Sequence, residues 1–325
     1  MRKARWTIAA ASAALAFGAV SGTAVQADPA QYPTNGRLVF SAVDGDTGTV
    51  QIFSVTGHGK GLRQLTQPSG PDVWNECPSW SPNGKRILFD NADRSDDTLP
   101  QLYRMRGDGS RARLIGSTTR YAACPVASPS QNLIAYLTYP KSGNAQIGIM
   151  KSRGTGARVL LKAKGANLYG PSFSPNGRLL AYERVVFGQN GIQSADVYVY
   201  DMMTGSKTNL TSGRPAQFGS PSWDPRGDAI LATRGARNVV RIDLNDLTTK
   251  RVVKSPKNTW VTSPVYAPHR NKIAYLTCEG DCGDPDITGI GTLWTAKPNG
   301  KKARAIVATE GAIQPADKVS WGVRP

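Results

Sequence analysis

Apolar residues in this chain come in short contiguous runs, such as positions 87–89 (Ile-Leu-Phe) and 179–182 (Leu-Leu-Ala-Tyr), rather than alternating with polar ones. Runs of this length suit strands covered on both faces and are too short for core helices. Just before each run lies turn chemistry, as in Ser81-Pro82-Asn83-Gly84. Pro82 presets φ at the first corner, and Asn83 and Gly84 tolerate the left-handed region that a tight reversal needs. The local prediction is strand, tight turn, strand.

That unit recurs: PSWSPNGKRILF from Pro78, PVASPSQNLIAY from Pro125, PSFSPNGRLLAY from Pro171, PSWDPRGDAILA from Pro221 and PVYAPHRNKIAY from Pro264, with starts 47, 46, 50 and 43 residues apart. A period of 40 to 50 residues with short apolar strands predicts the four-stranded blades of a β-propeller. A sixth copy is split between the chain ends. Val319, Ser320 and Trp321 repeat its first half, and Asn35, Gly36 and Arg37 with the apolar run to Phe40 repeat its second. Joining them predicts an all-β, six-bladed propeller of four-stranded antiparallel blades, closed by the C-terminal strand entering the N-terminal blade and leaving no free sheet edge between the ends. Residues 35–325 would form this single domain.

The units resemble the propeller repeats of the TolB family, whose P-S-W-S-P-D-G-K-x-I-A-F segment is followed by I-Y-V-M-D-like and R-x-L-T-like strands. Gln64 to Thr66, Leu102 to Met105, Val197 to Asp201 and Asn209 to Thr211 fit those later parts. Asn83, Asn176 and Arg226 stand where that family usually has Asp. The resemblance implies the fold and leaves function open, because propellers host many activities.

Arg2, Lys3 and Arg5, an apolar run from Ile8 to Val20, and Val25-Gln26-Ala27 read as a secretory signal over residues 1–27, with residues 28–34 a short lead into the propeller. The expected location is secreted, without a lipid anchor or membrane span. An exported chain with four cysteines favours disulfides. Cys77 and Cys124 immediately precede Pro78 and Pro125, the same repeat position in adjacent blades, so they are expected to pair; Cys278 and Cys282 would pin their own loop.

Formal charge is +17, and loss of Arg2, Lys3 and Arg5 would leave +14. Its distribution changes the picture more than its size. With strands labelled a to d from the axis outwards, the a–b and c–d turns share one face. That face gathers Lys60, Arg106, Arg111, Arg153, Lys301, Lys302 and Arg304, whereas the b–c loops carry acidic clusters such as Asp93, Asp96 and Asp97. A basic face of this kind attracts polyanions.

Trp74, Tyr121, Tyr169, Phe218 and Trp260 precede the repeat in five blades and would stand near the channel mouth, as a stacking or docking surface or as inter-blade packing. Trp80, Phe173, Trp223, Tyr266 and Trp321 in strand a read as core. Asp44-Gly45-Asp46-Thr47-Gly48 and Asp284-Pro285-Asp286 resemble calcium loops without the full spaced oxygen set, so no cofactor is expected beyond, at most, a structural calcium. There is no G-x-S-x-G elbow. Neither His58 nor His269 is placed to share a metal, and the glycines around His58 lie in a hairpin without a following helix. The reading is a secreted, non-catalytic binding propeller that docks an exported protein or an anionic cell-envelope polymer. The alternative is a polysaccharide lyase or hydrolase working at the channel mouth. Export argues against nucleic acid as the partner.

Overall fold

The computed structural model describes residues 34–95, 99–116, 120–141, 143–279, 290–308 and 313–325. They form six four-stranded antiparallel sheets, all within the compact unit Tyr32–Pro325. The proposed signal, residues 1–27, and most of the lead lie outside the described residues.

From axis to rim, blade 1 runs Ile313–Val323, Asn35–Asp44, Val50–Thr56 and Arg63–Gln64; blade 2 runs Val73–Trp80, Arg86–Asp93, Gln101–Arg106 and Arg113–Leu114. Blade 3 comprises Ala123–Ala127, Leu133–Thr138, Gln146–Lys151 and Arg158–Leu161, and blade 4 comprises Asn167–Phe173, Leu179–Gly188, Gly191–Asp201 and Lys207–Asn209. Blade 5 is Phe218–Trp223, Ala229–Arg234, Asn238–Asp243 and Thr249–Lys254; blade 6 is Thr259–Tyr266, Ile273–Glu279, Ile290–Ala296 and Arg304–Val307. The ring closes as the split repeat requires. Leu38 pairs with Trp321, Val39 with Ser320 and Phe40 with Val319.

The contiguous apolar runs are explained by what they cover. In blade 1, Leu38 and Phe40 pack toward blade 6 with Leu276 and Leu293, while Val39 between them packs toward blade 2 with Ile87 and Phe89. Each second strand thus serves two seams, and every position must be apolar. Separate buried clusters fill the other four seams in the same way.

Each innermost strand also breaks register. In blades 2 to 6 the breaks fall at Glu76/Ser79, Ala123/Val126, Tyr169/Ser172, Gly219/Ser222 and Thr262/Val265. At each break the residue before the proline is left-handed: Cys77 (φ 50°), Cys124 (49°), Gly170 (55°), Ser220 (49°) and Ser263 (48°). Four of the five carry a Cβ, which is costly in this region, so they need support. The preceding blade provides it in three cases. Cys77 N–H donates to Ser41 Oγ (3.1 Å), Cys124 N–H to Asp90 Oδ1 (2.8 Å) and Ser220 N–H to Glu183 Oε2 (3.2 Å).

Cys77 and Cys124 are joined in a disulfide, with Cα atoms 4.7 Å apart, stapling blades 2 and 3. Cys278 is also disulfide-bonded, and Cys282 lies outside the described residues. No helix among the described residues is long and apolar enough to cross a membrane.

Candidate functional site

Two openings matter, one at the axis and one on the basic face. The left-handed residues ring the axial channel, a cavity of about 330 Å³ whose charged lining residues are Glu183 and Lys318. Burial pushes the Glu183 carboxyl up to about 6, and the Ser220 N–H opposes that shift. Asp90 holds the same repeat position as Glu183 and accepts the same type of backbone N–H, so both carboxylates act as inter-blade clamps. Among the described residues the channel lining offers Glu183 as its single carboxylate, whereas glycoside hydrolysis ordinarily uses a pair. One described set of ligand-type side chains, Cys77, Asp90 and Cys124, lies within reach of a common ion, but its two sulfurs are bonded to each other. The Asp44 carboxylate accepts from Asp46 N–H, Thr47 Oγ1 and Gln64 Nε2, organising its own turn. Asp284 and Asp286 lie outside the described residues.

The five aromatics read from the d–a loops are dispersed. Tyr121 and Tyr169 share one cluster with Tyr139, and the Tyr121 ring meets Tyr139 edge-on at 4.7 Å. Burial drives both phenols well above their ordinary range. Trp74 lies under the Arg94 guanidinium, 3.5 Å from the ring centroid. Phe218, 2% exposed, belongs to the blade 4–5 core, whereas Trp260 is 55% exposed. Only Tyr169 of the five lines the channel.

The a–b and c–d turns do share one face, as their hydrogen bonds attest: Gly107 N–H to Lys85 O, Ser152 to Asn132, Met202 to Arg178 and Leu244 to Asp228. On that face a cleft of about 880 Å³ opens at blades 1 and 2. Its walls carry Arg37, Arg63, Lys85, Arg106, Lys272 and Arg324, and its one acidic side chain is Asp108. None of these cations forms an ion pair with a carboxylate among the described residues. Arg37 is fixed by bonds to Ser54 O (2.9 Å), Ser54 Oγ (3.1 Å) and Gly61 O. Burial, then neighbouring Arg63, pushes its guanidinium below its ordinary value. Lys272 is likewise lowered by burial and by Arg304. Repulsion among clustered cations is what an incoming anion would relieve.

The cleft exists here because of two glycines. The first c–d turn residue is Gly57 in blade 1, Gly107 in blade 2, Ser152, Met202 and Leu244 in the next three, and Pro298 in blade 6. In blades 4 and 5 that side chain packs in the cluster of the strand-a aromatic: Met202 with Phe173, Leu244 with Trp223. In blades 1 and 2 it is missing, and Trp321 and Trp80 line the floor instead. A Cβ at Gly57 would come within 2.5 Å of the Trp321 ring, and one at Gly107 within 2.9 Å of Trp80.

Of the basic residues singled out from sequence, Arg106 lines this cleft, and Lys302 and Arg304 line a contiguous pocket toward blade 6. Lys60, Arg111, Arg153 and Lys301 stand on the same turns, outside both linings. Sequence reading missed Arg324; its assignment of Trp321 and Trp80 to the core holds, with Trp321 buried and Trp80 packed against the blade 1–2 cluster, but both also line this cleft, and the glycine at the turn position was the available signal.

Comparison with known proteins places the chain. The TolB beta propeller domain matches residues 16–193, more than half of the sequence. An uncharacterized protein of Agrobacterium fabrum is 27% identical over 242 residues, covering 73% of this chain and 75% of that one. The Tol-Pal system protein TolB of Gluconobacter oxydans is 36% identical over 107 residues, which cover 31% of this chain but 22% of that protein. The solved structure of TolB from Acinetobacter baumannii superposes with a TM-score of 0.69 at 18% identity, over 89% of this chain and 67% of that one. A ring closed by a split repeat, left-handed residues lining its axis and a match that runs into the fourth blade lead to one assignment: the chain belongs to the TolB beta propeller family.

Proposed function

We propose that this propeller is an exported binding module that docks an anionic polymer of the cell envelope on its basic face, with the blade 1–2 cleft as the main contact. The observation that carries this reading is the cleft's composition: six Lys and Arg side chains against one Asp, over a floor that includes two indoles. Unneutralised cations with low-dielectric walls between them concentrate counter-charge and speed encounter with it. The half-buried Trp80 indole, beside the largely buried Trp321, gives a repeating unit apolar surface to lie on. Export is supported by the disulfide, which suits an oxidising compartment, and by the signal-like residues 1–27.

The test is retention of the purified protein on isolated envelope material across a salt series. Counter-ion release makes such binding fall steeply as salt rises, so retention at low salt that is lost at high salt is the expected result. Salt-independent retention would remove the basic face from the account and turn attention to an exported protein partner.

A further inference from the structure

Beside the large cleft, at the seam of blades 6 and 1, lies a smaller pocket of about 270 Å³ lined by basic side chains from three turns. Lys272 rises from the blade 6 a–b turn, Lys297, Lys302 and Arg304 come from its c–d hairpin, and His58 faces them from the blade 1 turn. No carboxylate is among its lining residues. The backbone of the blade 1 turn holds the donors in place: Arg304 Nη2 donates to His58 O (2.7 Å), and Lys272 Nζ reaches Gly57 O (3.4 Å). Lys272 Nζ also lies 3.3 Å from His58 Nδ1. An ammonium only donates, so Nδ1 is the acceptor in this contact, and the ring nitrogen left to donate is Nε2. Thr295 adds a hydroxyl to the lining.

Donors spread around a volume suit a ligand with oxygens pointing in several directions. A carboxylate presents two oxygens in one plane and can engage only part of such a set, whereas a tetrahedral oxyanion can meet cations from separate walls. The pocket is continuous with the large cleft through Gly57, His58, Asn271 and Lys272, which line both. From this geometry we infer that the seam pocket is a site for one phosphate group, held by Lys272, Arg304 and His58, from which the rest of a phosphate-bearing chain leads into the cleft. The inference rests on the basic face being the anion-binding face and adds to it the chemical class of the group recognised.

The chain has two histidines, His58 and His269, so proton NMR of the imidazoles reads the site directly. Inorganic phosphate titrated into the full protein should shift the His58 resonances in a saturable way and leave those of His269 in place. Acetate should bind at least about tenfold more weakly, and Lys272→Met should weaken phosphate about tenfold or more, in line with loss of a charge-assisted bond. Arg304→Gln, on an exposed side chain, should do the same and guards against misfolding of the first variant; Lys164→Gln, remote from the pocket, should change nothing. A free anion and a chain are told apart by length: affinity that climbs from phosphate to glycerol phosphate to short poly(glycerol phosphate) supports a chain running into the cleft. Salt-sensitive binding of the polymer without a saturable phosphate response at His58 would overturn the seam site and leave the basic-face reading standing. Absence of binding to either probe would overturn both.

Discussion

Gly107 sits against the indole of Trp80: a Cβ at that position would fall 2.9 Å from the ring carbon Cζ3. The same relation holds between Gly57 and Trp321, at 2.5 Å from Cζ2. Gly107→Ala should therefore force the indole or the turn to move, lowering stability by about 1–3 kcal/mol through overpacking and weakening anion binding. Denaturant unfolding followed by tryptophan fluorescence checks the first outcome, and binding to a soluble polyanion the second. Unchanged stability and binding would mean that the turn yields freely and that glycine there does not shape the cleft.

The disulfide between Cys77 and Cys124 closes 47 residues. In the chain-entropy model a loop of this size contributes about 4 kcal/mol. Cys77→Ser with Cys124→Ser should lower the unfolding free energy by that order while the β-type circular dichroism spectrum persists, because six apolar seams remain. Free thiols at these positions in the purified wild-type protein, detected by mass spectrometry, would contradict the pairing.

Glu183 gives a pH signature. Its folded-state value of about 6 lies above the ordinary 4.5, so the folded protein holds this proton more tightly than the unfolded chain does. Its contribution is therefore fully present below about 4.5 and is lost as pH rises through about 6, a change on the order of 2 kcal/mol. Glu183→Gln keeps an oxygen for the Ser220 N–H and removes the titration. Relative to wild type, the variant should gain about 2 kcal/mol between pH 4.5 and 7.5, measured by urea unfolding at each pH. A pH-independent difference would show that the carboxylate is not confined as described.

Asp224 occupies the place held by Ser81 and Ser174 in other blades and is buried against Arg270, Oδ2 to Nε 2.6 Å, across the blade 5–6 seam. Burial raises its pKa despite the partner and its bond from Arg226 N–H. Arg270→Ala should cost about 3–5 kcal/mol by leaving a buried charge unpaired. Adding Asp224→Ser should recover much of that loss, and a double-mutant cycle of unfolding free energies measures the recovery. No recovery would assign the loss to the other contacts of Arg270, its pairing with Asp228 (3.4 Å) foremost.

The fold was legible because repetition writes it five times over. The turn dipeptides, the apolar runs and the split sixth unit each reappear at the expected place, down to Val39 opposite Ser320. The Cys77–Cys124 bridge was legible for the same reason, since equal repeat positions become neighbours at the axis. The cleft was harder to read because Trp80 and Trp321 resemble Phe173 and Trp223 in their own strands. What separates them is the absence of a side chain at Gly57 and Gly107, in turns that follow two strands later or come from the other chain end. Arg324 joins the site only through ring closure. Phe218 shows the opposite failure: it lies three residues before Pro221, in step with the buried Val261, whereas the exposed Trp260 lies four before Pro264, and successive strand residues face opposite sides.

The proposed docking of a polyanion on the basic face runs through cations that no carboxylate pairs with among the described residues. Its most direct measurement is the slope of log binding constant against log salt for a phosphodiester polymer, compared between wild type and a protein with Lys301, Lys302 and Arg304 reversed to Glu. The predicted result is a steep negative slope for wild type, with weaker binding and a flatter slope for the variant, because fewer counter-ions are released. Equal affinities and equal slopes in the two proteins would contradict it.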